Sequence, residues 1–279
     1  MSLDIGAAIT EGVDRLRSRD GLVLVGAFLV VGVLSSVATQ SLTVGLSEAA
    51  LEFAQSADAP PGTDIETLRE QVEQTRAGSP LALDISAGLA FGLAFLIGIL
   101  AETLRIVSIR LFYTPAGERP ADLTSGLAFA TVNGFLGGIV VGVLVVLGLV
   151  FLIVPGIFLA LVFFFVKQEI AVEDSNFVDA MADSWALTRG ERLNLLGLAI
   201  VLLAIGFVAF LPTIVASVAG SSTASLVVGA IVSPIVTVFG IAATTRAYAQ
   251  LKAAEPTTTE DAGESDEVGA LGPDDIPEP

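Results

Sequence analysis

Glu102 and Arg105 stand three residues apart at the inner end of an apolar stretch. At that spacing they share a helix face and can pair. An ionisable group within a membrane span is costly unless paired and marks a functional candidate. The plainer alternative is an internal ion pair with Arg105 reaching out to water. A transport path would run through an inner cavity near Glu102, Arg105 and Arg246. A lipid-directed enzyme would need an acid such as Glu102 or Glu173 as its base, yet no close pair of acids and no metal-binding cluster is evident. The 279 residues include no His and no Cys, which excludes His/Cys zinc sites, Ser-His and Cys-His nucleophiles, thiol redox chemistry and disulfides. No cofactor is expected. Thirteen Lys+Arg against thirty Asp+Glu, a net charge of −17, argues against nucleic acid as a partner.

These residues must be positioned by membrane helices. The chain is 53% hydrophobic and 15% charged, well short of the roughly 25% charge of a soluble domain. Uncharged runs cover residues 21–47, 85–101, 123–166 and 193–245. A helix crosses the hydrocarbon core in about 20 residues, so the two longer runs each make two spans. Pro155-Gly156 and the polar turn Gly220-Ser221-Ser222-Thr223 supply their breaks. The expectation is an all-α polytopic membrane protein with six transmembrane helices near 21–47, 82–106, 126–150, 155–173, 193–218 and 224–248. With the N-terminus inside, Arg15, Arg17, Arg19, Arg105, Arg110, Arg119, Lys167, Arg189, Arg192, Arg246 and Lys252 are all inner. Only Arg69 and Arg76 are outer. This positive-inside bias predicts a multi-pass protein of the cell membrane with both termini cytoplasmic.

Between the spans, residues 1–20 and 176–189 have apolar faces at helical spacing and are expected to be short interfacial helices packed on the inner ends of the bundle. Residues 48–80 form an outer helical loop, with a capping-box spacing at Thr63-Asp64-Ile65-Glu66. Amphipathic segments starting near Ile5, Ala121 and Phe177 each precede two spans, which suggests three copies of a surface helix plus hairpin. Gly88-x-x-x-Gly92 and Gly138-x-x-x-Gly142 would let helices approach closely. Residues 253–279 hold nine acids, four prolines and no base, the composition of a disordered tail. The acidic excess with only two lysines suits concentrated salt, as in an extremely halophilic archaeon.

Residues 148–190 run GLVFLIVPGIFLALVFFFVKQEIAVEDSNFVDAMADSWALTRG. Pro155-Gly156, the acid Glu173 and a helix carrying Ala180, Ser184, Trp185, Leu187, Thr188 and Gly190 follow one another there. This resembles a group of uncharacterised six-span proteins related to the membrane domain of some glycerophosphoryl diester phosphodiesterases. The segment Arg246-Ala-Tyr248-Ala-Gln-Leu251-Lys252 looks like that group's closing aromatic-basic stretch. The resemblance implies the six-span plan. It does not bring the phosphodiesterase activity, because the chain has no histidine and no room for the catalytic barrel.

The expected function is a non-enzymatic membrane module that supports or organises a partner, protein or lipid, in the lipid bilayer. The alternatives are a transporter or permease for a small solute or lipid and, last, a membrane enzyme acting on lipid.

Overall fold

The computed structural model describes residues 3–56, 60, 64–115, 118, 120, 122–220 and 222–254. Among them are ten helices and no strand. They are α1 (Ile5–Arg17), α2 (Arg19–Gln55), α3 (Ile65–Ala77), α4 (Ala87–Tyr113), α5 (Leu127–Phe151), α6 (Ile153–Val162), α7 (Val166–Glu173), α8 (Phe177–Leu187), α9 (Arg192–Val218) and α10 (Ser222–Ala254). Six segments are long and apolar enough to cross a membrane: α2, α4, α5, α6 with α7, α9 and α10. The chain is a multi-pass, all-α membrane protein. Residues 255–279, the acidic tail, lie outside the described residues.

Of the described basic residues, only Arg69 and Arg76 fall at the end of the bundle that carries α3. The opposite end gathers α1, the α4–α5 connection, α7, α8 and the close of α10. Packing is concentrated there too. Leu24, Phe28, Ile106, Ile109, Phe112, Ile170 and Ile241 form one buried cluster, and Leu3, Phe165, Leu195, Leu198 and Tyr248 a second. At the α3 end, large apolar side chains such as Val150, Phe151 and Val218 stay exposed, as lipid-facing positions should. The apolar window of Ile153–Glu173 is 44% buried and that of Arg192–Val218 only 6%, so α6–α7 is the least and α9 the most outward-facing of the spans.

The outer loop is helical, as its sequence suggests: α2 carries the first span on past residue 47 to Gln55, and α3 folds back on that extension, held by an Arg76–Glu48 ion pair. Two other boundaries differ from the sequence expectation. The cap of α3 is Asp64, whose carboxylate accepts from the Thr67 N–H, one position later than the Thr63 box. The α5–α6 break falls at Leu152, in extended conformation, rather than at Pro155-Gly156. Pro155 instead occupies the first turn of α6, where a missing N–H costs nothing. Gly156 faces Gly148 so closely that a Cβ on Gly148 would lie 2.8 Å from the Gly156 Cα. That contact pins the hairpin shut at its tip.

The three-copy repeat fails at its middle member. Described residues 122–126 form no helix. The Asp122 carboxylate accepts from the Thr124 and Ser125 N–H groups, which closes a turn and holds this carboxyl below its usual range. Gly88 and Gly92 are exposed with open space beside them, so they mediate no helix contact. α1 and α8 do pack on the bundle as expected: α1 lies on α10, where a Cβ on Gly12 would meet the Ala243 backbone at 3.0 Å.

Candidate functional site

The fourth span is not one helix. Phe163, Phe164 and Phe165 leave the helical path between α6 and α7, which would strand backbone groups in an apolar setting. Ser184 of α8 replaces the lost bonds. Its fully buried hydroxyl accepts from the Phe165 N–H at 3.2 Å and donates to the Val162 carbonyl at 2.9 Å. Thr188, also buried, reaches the same carbonyl. Trp185 packs edge-on against Phe158, with the Arg192 guanidinium over both rings. The Ser-Trp helix thus braces the kink and leaves neither Ser184 nor Trp185 free to act on a ligand.

The kink turns three consecutive polar residues of α7 toward different neighbours. Lys167 Nζ lies 2.7 Å from both carboxylate oxygens of Glu102 on α4. Gln168 donates to the Thr244 hydroxyl on α10 at 3.2 Å. Glu169, fully buried, accepts from the Tyr248 hydroxyl at 3.0 Å and lies 3.4 Å from Lys252. Two glycines of α5, one turn apart, leave space for the first pair. A Cβ on Gly134 would lie 2.8 Å from Glu102 Oε1, and one on Gly138 would lie 3.3 Å from Lys167 Nζ.

Arg105 follows the plainer of its two readings, a loose ion pair with Glu102 that leaves it reaching toward water. Its Nε is 3.7 Å from Glu102, an ion-pair distance without a hydrogen bond, and its side chain is 41% exposed. Lys167, counted among the inner basic residues and within the expected fourth span, takes the carboxylate. Arg246 is not part of this cluster either: it pairs with Glu11 of α1 and reaches the Tyr113 carbonyl. Glu173 is half-exposed and lies 3.6 Å from Lys252. Arg110, absent from the sequence candidates, is buried and ties four groups together. It donates to the carbonyls of Ala171, Leu123 and Ser125 and lies 2.6 Å from Asp174.

A cavity of about 360 Å³ opens between α4, α6–α7 and α10. Arg105 and Lys167 supply its charge, Gln168, Thr237 and Thr244 its polar atoms, and Phe164 with Val236 its apolar wall. Glu102 behind Lys167 offsets one of the two cations, so the cavity presents a net positive charge. Gln168 Oε1 has no hydrogen-bond partner although the residue is only 5% exposed. Arg105 precedes the end of α4 by eight residues, about 12 Å along the axis. Such a pocket suits an anion with hydrogen-bond donors. Among the described residues no group of three or more acids is placed to hold a metal ion.

The signal that sequence reasoning passed over was Lys167-Gln168-Glu169, three adjacent polar residues inside an apolar span. Residues 3–251 match the family described as Domain of unknown function (DUF7847). No curated protein and no solved structure matches the chain.

Proposed function

The chain belongs to the DUF7847 family of unknown function, and from its own geometry we propose that it is a non-enzymatic membrane module that organises lipid at its basic end. The observation that carries this reading is the cavity lined by Arg105 and Lys167 toward the basic end of the bundle, between helices that otherwise present apolar side chains outward. The basic end is read as cytoplasmic, following the positive-inside rule. The acidic excess is read as an adaptation to concentrated salt.

Two measurements test this. Single cysteines at Glu70 and Asp14, labelled with an impermeant reagent on intact cells, should react at Glu70 only; the reverse pattern inverts the orientation. Native mass spectrometry after gentle extraction in molar salt should find retained lipid. A stoichiometric protein with no lipid would move the role to protein organisation.

A second reading, passage of a small solute or lipid, has its own support. Another cavity of about 310 Å³ lies between α2, α9 and α10, and Pro234 of its wall is two residues from Val236 of the first. Solute flux through proteoliposomes, absent from protein-free vesicles, would favour this reading.

A further inference from the structure

Lys167 stands between two cavities. Beyond the charged one, a second of about 380 Å³ lies between α5 and the bend that leads from α6 into α7. Its walls are Gly138, Val141, Gly142 and Val145 on one side and Phe163 and Val166 on the other. α5 and α6 touch at Gly148 and Gly156, and α5 meets α7 again at Gly137, which faces Ile170 and Val166. The α5 side of this slot runs over residues 137–146, about 13 Å by helix rise. Gly142 and Val146 are exposed on the bundle surface, so the slot opens toward the acyl chains of the bilayer. Phe164 and Lys167 line both cavities.

We propose that the two cavities form one site for a single anionic phospholipid, with its phosphate beside Arg105 and Lys167 and one acyl chain in the slot between α5 and the α6–α7 bend. This rests on the lipid-organising reading and specifies its ligand. The charge of the first cavity selects a phosphodiester without a compensating cation. The slot offers no hydrogen-bonding side chain other than Lys167, so a hydrocarbon chain can fill it without stranding polar groups.

Filling each cavity separately tests the site. A Cβ on Gly142 or on Gly240, which lines the charged cavity, meets nothing within 4 Å, so Gly142→Leu and Gly240→Leu should fold, as thermal melting will verify. The full chain is equilibrated in vesicles of equal phosphatidylglycerol and phosphatidylcholine with matched chains, extracted, and its bound lipid counted by native mass spectrometry. The expected result is about one phosphatidylglycerol per chain, with occupancy falling about tenfold in each variant as binding contacts are lost. Loss in Gly240→Leu alone would overturn the shared site while leaving the lipid reading intact. No bound lipid, or no preference for phosphatidylglycerol, would remove both. Glycerol 3-phosphate is the soluble control: if it displaces phosphatidylglycerol from wild type and binds Gly142→Leu equally well, the site takes a free phosphate and the lipid assignment fails.

Discussion

Glu102 is bonded to Lys167, sixty-five residues away, and not to Arg105, one turn away on its own helix. The pair crosses from α4 to α7 past two glycines of α5, so three spans share it. A double-mutant cycle in lipid or detergent should give Glu102 and Lys167 a coupling of about 2 kcal/mol, against a few tenths for Glu102 and Arg105. Equal couplings would mean that the carboxylate is shared.

Room for the pair is a property of α5. Gly134→Ala should lower thermal stability by forcing Glu102 off Lys167, whereas Gly142→Ala, which adds its methyl to open space, should change it little. A neutral Gly134→Ala would show that the carboxylate moves freely.

The kink between α6 and α7 depends on one hydroxyl. Ser184→Ala leaves the Phe165 N–H and Val162 carbonyl short of a partner in the core and should cost about 1–3 kcal/mol. Trp185→Phe should cost less, because ring packing on Phe158 persists. Denaturant unfolding of both variants gives the comparison, and the opposite order would count against the bracing role.

Arg110→Lys tests geometry against charge. A lysine keeps the ion pair with Asp174 but lacks the planar fork that also reaches the three carbonyls. The variant should melt clearly below wild type, with faster proteolysis of the 122–126 turn. An unchanged melting point would reduce the contact to simple attraction.

Glu191 links acidity to the docking of the N-terminus. Its carboxylate accepts from the Asn194 amide and the Leu3 N–H, and these bonds hold it below the usual carboxylate range. A depressed folded pKa contributes stability that is present above the unfolded value, about 4.3, and lost as pH falls through the folded one. Melting curves from neutral pH down should show that loss, and Glu191→Gln should lose less over the same range. Parallel curves would exclude Glu191 as the source.

Six spans, their basic end and the packing of α1 and α8 on the bundle were legible from residue order. A bilayer of fixed thickness demands apolar runs of fixed length, and Pro, Gly and charge mark where those runs stop. Ser184 and Trp185 also stood out as a motif, though nothing local tells that Ser184 stands in for backbone bonds lost in another helix. The partner of Glu102, the isolation of Arg246 from the cavity and the position of the break at Leu152 were decided by tertiary structure. Sequence spacing ranks the nearest neighbour first, and Arg105 is nearest to Glu102 along the chain. The bend at Phe163–Phe165 swings Lys167 into the gap left by Gly134 and Gly138, and only the meeting of α4, α5 and α7 makes that the shorter distance.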